Sequence, residues 1–304
     1  MSLVSTKGML LDARQKGYAV GAFNANNLEM AQGIVMAAEK EKAPVIVQVS
    51  QGGAEHGGLE EMAAIIKSLA AKASVPVALH LDHGVDVVYN MRCLRVGFTS
   101  LMYDGSKLAF AENVRITREV ALAAHAVGVP VEAELGKVPK DPTGITLDDL
   151  KKYMTSPEEA KAFVEQTNVD ALAIAVGNMH KMKIKEAKID VERIAAIRQV
   201  VAVPLVLHGA SGVPDEAVTA AVKAGICKIN VHTQLGKSFT EKLREIFQAD
   251  PTTVDLRKYM GLGREALMEE VRAKIRLFGA SGKASGVPEV AVEPEEYIRQ
   301  EIVE

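Results

Sequence analysis

Three histidines in this chain share one kind of address. His83, His180 and His208 each stand at or just past the end of a short apolar run. Neutral imidazoles on rigid backbone are good ligands for Zn²⁺, and three protein ligands with a fourth position open is the arrangement of catalytic rather than structural sites. Carboxylates occupy matching places. Asp82 directly precedes His83, Asp104 closes FTSLMYD (98–104), and Glu132 and Glu134 lie in VPVEAEL (129–135). Asp82, fixed beside a candidate ligand, suits a general acid/base; a carboxylate that orients a histidine is the alternative. Asp104 and Glu134 suit an alternate metal position or the orienting of ligands, and Glu132 the same task deeper in. His80 alternates with Leu79 and Leu81 and reads as an interior residue rather than a ligand. His56 and His125 read as ordinary surface or packing residues.

Two further stretches suit phosphate. Gly209-Ala-Ser211-Gly212 precedes a helix-type pattern, and Asn230 to Thr233 follows an apolar run. Glycine-rich turns and helix N-termini offer backbone N–H groups to anions. The alternative is that Ser211 caps its helix and the glycines only turn the chain. A divalent ion, a nearby carboxylate and a phosphate cradle are the parts of a sugar phosphate aldolase. A metal-dependent sugar phosphate isomerase or a barrel hydrolase uses the same parts.

Such groups need elements that bring them together. Eight short runs read as strands: 19–24, 44–50, 76–82, 98–104, 129–135, 170–176, 204–208 and 226–231. Helix-type periodicity falls at 28–41, 59–72, 112–127, 157–167, 190–199 and 214–224. Ser156-Pro157-Glu158-Glu159 has the starting chemistry of a helix: a cap, proline, then acids. This alternation predicts an α/β fold, a (β/α)8 TIM barrel, which carries its site where the carboxyl ends of the strands converge. A doubly wound sheet is the competitor, but no G-x-G-x-x-G follows the first strand. Residues 136–156 form the longest break and read as a lid or functional insertion. Residues 235–248 and 255–278 read as extra C-terminal helices, and the tail from about 279 as partly ordered. We expect one domain over 1–304.

Composition agrees with helices layered on a parallel sheet. Hydrophobic residues make up 48% of the 304, yet only 4% are aromatic and there is no Trp, so the core is built from small aliphatic side chains. A net charge of −3 with mixed signs argues against nucleic acid or an anionic membrane as partner. No run approaches the ~20 apolar residues of a bilayer span, and no signal peptide is visible. A cytoplasmic location is the expectation. Cys93 and Cys227 lack metal-type spacing and read as small buried residues.

Taken in order, GAFNANNLEMAQGIVMAAEKEKAPVIVQVSQGGA, VALHLDHG, GFTSLMYDGS, VEAELG, SPEEAKAFVEQTNVDALAIAVGN-x-H, PLVLHGASGVPDE and GICKINVHT resemble the class II, metal-dependent fructose-bisphosphate aldolase family, which includes tagatose-bisphosphate aldolases. The resemblance runs from about residue 5 to about residue 283. It implies Zn²⁺, or another divalent ion, held by His83, His180 and His208. It implies Asp82 as the acid/base for the C4 hydroxyl, with Asp104 and Glu134 at an alternate or second metal site. Gly209, Ser211, Asn230 and Thr233 match residues that hold the dihydroxyacetone phosphate half. Asn24 and Ser50 match positions near the other half. Arg257, in DLRKYMG, resembles an arginine that reaches the far phosphate across a subunit interface, which implies a homodimer or homotetramer; an exposed helix arginine is the plain alternative. The implied activity is cleavage of fructose 1,6-bisphosphate to dihydroxyacetone phosphate and glyceraldehyde 3-phosphate. Tagatose 1,6-bisphosphate or another sugar phosphate is the alternative substrate, and a non-catalytic sugar-phosphate-binding barrel the alternative function.

Three departures stand out. Lys181 occupies a place usually held by glycine, where backbone meets phosphate and often a monovalent cation; its charge could replace that cation, or its bulk could block the approach. After EAELG the chain reads Lys137-Val-Pro139-Lys140-Asp141-Pro142 in place of Gly-Gly and an acidic pair, leaving Asp141 as the near candidate for that acid. His232 stands where relatives carry a small or acidic residue, as a substrate contact or a neutral variant.

Overall fold

In the computed structural model, residues 3–138, 151–178 and 188–292 are described. Eight parallel strands form the sheet, β1 (Val20–Asn24), β2 (Val45–Ser50), β3 (Val77–Asp82), β4 (Leu101–Tyr103), β5 (Val131–Leu135), β6 (Ala171–Ile174), β7 (Leu205–Leu207) and β8 (Ile226–Val231). Their order is β3-β2-β1-β8-β7-β6-β5-β4. The pairings of His80 with Ser100 and Gly84 with Tyr103 bridge β3 to β4. The sheet thereby curls into the expected (β/α)8 barrel. Helices cover its outer face, and nearly every strand residue is buried. That is why the strands read as continuous apolar runs rather than clean alternations.

The helices are α1 (Thr6–Lys16), α2 (Leu28–Glu41), α3 (Gln51–Gly57), α4 (Leu59–Lys72), α5 (Val87–Val96), α6 (Phe110–His125), α7 (Pro157–Thr167), α8 (Val191–Val200), α9 (Asp215–Ala224), α10 (Thr233–Ala249) and α11 (Leu256–Leu277). Starts are set by side-chain caps: Asn27 accepts from Met30 N–H, Asp86 from Val88, and Ser156 from Glu159. The expected C-terminal helices are α10 and α11. Three helices were not expected. The segment of α3, QGGAEHG, is glycine-rich and reads as loop. That of α5 opens on Val87-Val88, which favours a strand until Asp86 caps it. The weakly patterned α1 crosses the amino-terminal end of the barrel. There Thr6 donates to Ser100 before β4, and Arg14 donates to the carbonyls of Arg198, Val201 and Val203 before β7.

Cys93 and Cys227 are both buried, as expected. His125, read as surface or packing, is buried and bonded to Asp170 at 2.7 Å. His56 is exposed on α3. No helix among the described residues is long and apolar enough to cross a membrane. Residues 139–150, most of the long break, and the tail 293–304 lie outside the described residues.

The carboxyl end of α2 is pinned to α11 by a buried carboxylate. Glu41 accepts from Arg272 at 2.8 Å, from Arg276 at 2.7 and 3.0 Å, and from Ser281 at 2.8 Å. The bond from Arg276, set against the upward pull of burial and aided by Ser281 and Arg272, holds the Glu41 carboxyl at about 2, below its ordinary 4.5. A lowered carboxyl stabilises fully above its unfolded value and loses that contribution as pH falls through its folded one. Glu41→Ala should therefore cost about 2 kcal/mol at pH 7, the scale of hydrogen bonds to charged groups, and less as pH falls from 4.5 towards 2. Urea melts of both proteins across pH test this; an equal penalty at pH 7 and pH 2 would refute it.

Candidate active site at the carboxyl ends of the strands

Polar side chains gather at the carboxyl ends of the strands, starting with Asp82 at the end of β3. Its carboxylate is almost fully buried and receives two amides. Asn24 at the end of β1 donates to Oδ2 at 2.8 Å, and Asn230 on β8 donates to Oδ1 at 3.0 Å. Asn24 is itself fixed by Gln48, whose Nε2 donates to its Oδ1 at 2.8 Å. Burial would raise the Asp82 carboxyl, but the charges of His83, His208 and Lys228 and the bond from Asn24 prevail and hold it at about 2. The group is thus an anion in a shielded place, with both oxygens directed.

Directly after it, His83 takes a left-handed backbone, φ 51°. A non-glycine residue there stores about 1 kcal/mol of strain, and it turns the imidazole out of the strand line towards the mouth. Nδ1 lies 2.9 Å from Asp104 Oδ2 and 3.8 Å from Glu134 Oε2. Burial pulls the His83 imidazole down, yet Asp82 and Asp104 raise it above its usual value. Burial likewise acts upward on Asp104, and its bond with His83 carries it well below the carboxylate range.

The following Gly84 lets β3 close on β4. Its N–H donates to the carbonyl of Met102, and its own carbonyl accepts from Asp104 N–H. A Cβ on Gly84 would stand 2.8 Å from the Met102 oxygen and 2.7 Å from Asn90 Nδ2. Gly84→Ala should cost about 2 kcal/mol, as overpacking does, and weaken metal binding by moving His83. Thermal melts and zinc titration check both effects.

His208 follows β7 and is buried between two glutamates. Its Nδ1 lies 2.9 Å from Glu134 Oε2 and its Nε2 2.9 Å from Glu132 Oε1. Burial would lower this imidazole, but the two glutamates push it up to about 10. The rings of His83 and His208 meet edge to face, with centroids 4.7 Å apart. Asn178, after β6, donates to the His208 carbonyl at 2.9 Å and steadies the turn. Asp82, His83 and His208 each offer one ligand atom within 4.8 Å of the others, as do His83, Asp104 and Glu134. Imidazole with carboxylate is a donor set that suits zinc, so these residues fit a divalent cation.

One layer deeper the barrel is also polar. Lys228 is fully buried and pairs with Glu132 at 2.8 Å. His80 is equally buried and shares 2.8 Å with Ser100 through Nδ1. Gln48 completes this layer. Alternation carries a signal for it: Gln48, His80, Glu132 and Lys228 each stand two residues before Ser50, Asp82, Glu134 and Asn230, on the same face of their strands. Sequence reading reached His80 and Glu132 by this route but passed over Gln48 and Lys228, because a lysine inside ICKINV looks like an exposed interruption.

The remaining expected residues fall in different places. Asn24, Asp82, His83, Asp104, Glu134, His208 and Asn230 are joined by the contacts above. Ser50 caps α3 by accepting from Gly53 N–H at 3.2 Å. Gly209 adopts φ 62°, followed by a single 3-10 turn, Ala210–Gly212. Ser211 does not cap α9, which starts after Pro214 without a side-chain cap. Thr233 is the first residue of α10 and is exposed. His232 is exposed and lies 3.4 Å from the amide of Asn26, beyond β1. The Arg257 side chain is 91% exposed and pairs with Asp255. His180, Lys181 and Asp141 lie outside the described residues.

Comparison with known proteins adds the following. Residues 4–283 match the family model described as fructose-bisphosphate aldolase class-II. The chain is 42% identical over 284 residues to a sulfofructosephosphate aldolase of Alkalicoccus urumqiensis, covering 93% of this chain and 99% of that one. It is also 42% identical over 305 residues to a fructose-bisphosphate aldolase of Thermus caldophilus, covering 93% and 100%. The crystal structure of the YdjI aldolase from Escherichia coli K12 superposes with a TM-score of 0.82 at 37% identity, covering 93% of this chain and all of that one.

Proposed function

Since the chain belongs to the class II fructose-bisphosphate aldolase family, and is therefore an aldolase, we propose that it cleaves fructose 1,6-bisphosphate to dihydroxyacetone phosphate and glyceraldehyde 3-phosphate with Zn²⁺ as its metal. One observation carries this reading: a buried anionic Asp82, oriented by two amides, stands within ligand distance of His83 and His208.

His83 and His208, with His180, would hold the cation. His208 would bind through Nδ1, giving up its contact with Glu134, while Nε2 keeps the one to the deeper Glu132. A divalent cation there would supply Lewis acidity that stabilises the negative charge developing on the ketose half. Asp104 and Glu134 orient His83 and His208 and offer an alternate position for the ion. Asp82 takes the C4 hydroxyl proton. As C4 becomes a carbonyl, the C3–C4 bond breaks and its electron pair passes to the C2–C3 enediolate. A proton returned to C3 completes dihydroxyacetone phosphate; Asp141 is the candidate donor. Gly209, Ser211, Asn230 and Thr233 would hold this half, and Lys181 is a further candidate for binding it. Asn24 and Ser50 would face the other half. Arg257 would act on the far phosphate of a neighbouring subunit in a homodimer or homotetramer.

A specific finding favours a second substrate. Two relatives at the same 42% identity are named for different sugars, and one is a sulfofructosephosphate aldolase. The group at C6 is then what separates the readings. Zinc-loaded enzyme should be assayed on fructose 1,6-bisphosphate, tagatose 1,6-bisphosphate and 6-sulfofructose 1-phosphate. The proposal expects the highest kcat/KM with fructose 1,6-bisphosphate. A higher value for another ketose reassigns the substrate, and binding without cleavage of any of them would make the chain a sugar-phosphate-binding barrel.

A further inference from the structure

Lys228 is the one fully buried ammonium described in the barrel, and the reaction above does not use it. Burying such a charge is costly unless it is closely paired. Its pairing is divided. Nζ lies 2.8 Å from Glu132 Oε2 and donates to Asn230 Oδ1 at 2.8 Å. Each partner then spends its other polar atom on a different group at the mouth. Glu132 Oε1 meets His208 Nε2 at 2.9 Å, and Asn230 Nδ2 donates to Asp82 Oδ1 at 3.0 Å.

Both links depend on polarity. An asparagine amide can present either its oxygen or its NH₂. With Oδ1 held by an ammonium, only the NH₂ is left for Asp82; a flipped amide would turn its oxygen against the carboxylate. For His208 the anchor is Glu132: held by Lys228, its Oε1 stays on Nε2 and sets the ring, so that Nδ1 is the nitrogen turned to Glu134, 2.9 Å from its Oε2. His80 cannot replace this charge: its Nε2 stands 3.8 Å from Glu132 Oε2, and burial, with Lys228 nearby, drives its imidazole down to about 3.

We propose that Lys228 is a positioning residue that orients both halves of the site from one ammonium: the His208 ligand through Glu132, and the Asp82 carboxylate through Asn230. The inference rests on the proposed function for what the two halves do, while the contacts themselves are independent of the substrate.

The test uses Lys228→Met and the double variant Lys228→Met/Glu132→Gln, which also removes the buried carboxylate that loses its lysine partner in the single change. Two readouts need no substrate. Zinc affinity, from competition with a chromophoric chelator, should fall about 10- to 100-fold in both variants, as when a partner of a metal ligand is lost. Long-range ¹⁵N–¹H correlation on histidine-labelled protein should show the His208 nitrogen signals shift as the ring loses its fixed anchor. In the zinc-saturated double variant, kcat should fall about 100-fold, the scale of a small misplacement of reacting groups, with KM within about 3-fold. Folded double variant with zinc affinity within about 3-fold of wild type and unmoved His208 signals overturns the proposal. So does an unchanged kcat at saturating zinc. A wild-type protein that cleaves no ketose phosphate sinks the substrate assignment instead, and leaves the zinc and nitrogen readouts to judge Lys228.

Discussion

Asp82→Ala is expected to lower kcat for ketose bisphosphate cleavage by about 1,000-fold, within the 10²–10⁴ range of a positioned general base, while the protein still binds zinc. The two halves of this expectation have separate physical reasons. The carboxylate is the group that would take the C4 hydroxyl proton, and burial keeps water from replacing it. Both its oxygens are already engaged, by Asn24 at 2.8 Å and Asn230 at 3.0 Å, so the cation would rest on the histidines. Asp82→Asn is the sharper variant. It keeps the shape of the side chain but cannot accept a proton, so a fall of the same size isolates the proton transfer from packing. Zinc content by elemental analysis and kcat in a coupled assay decide the matter together. Near-wild-type turnover in either variant makes the assigned base wrong; loss of zinc with loss of turnover makes Asp82 a ligand instead.

Removal of the metal should have an effect of the same order. Chelation is expected to reduce turnover by at least about 1,000-fold, since Lewis-acid stabilisation of developing charge is worth several kcal/mol and 1.36 kcal/mol is a factor of ten. Adding Zn²⁺ back should restore it. Activity that survives exhaustive chelation would point to a Schiff base on a lysine, and borohydride trapping with substrate would then label the protein. The geometry argues against that route at the barrel's own lysine. Lys228 is fully buried and paired with Glu132 at 2.8 Å, so its amine lacks the access to attack a carbonyl.

The fold was legible because barrel strands announce themselves. Each is a short apolar run buried on both faces, and a helix pattern or turn chemistry usually follows. The run ends differ by a few residues. The segment 98–104 contains only Leu101–Tyr103 as strand, because Thr99 and Ser100 bond to the Leu79 carbonyl before the ladder to β5 begins. What stayed hidden were elements with weak local signals, such as α3 with its paired glycines. Tertiary packing supplies what their local sequence lacks.

For the site the division is sharper. Sequence by itself determined which strand ends carry polar groups, and so which side chains a barrel must gather at its mouth: Asn24, Asp82, His83, Asp104, Glu134, His208 and Asn230. Periodicity suffices for that, since closing eight parallel strands sends every carboxyl end to one face. Only the tertiary structure decided which atoms meet. That Lys228 belongs inside, that it divides its bonds between Glu132 and Asn230, and that Asp82 takes two amides from strands on either side of the chain's ends follows from contacts across the closed barrel. Such pairings join residues as far apart as 82 and 230. They depend on strand register and on which partner each buried polar atom finds, and no local pattern encodes either.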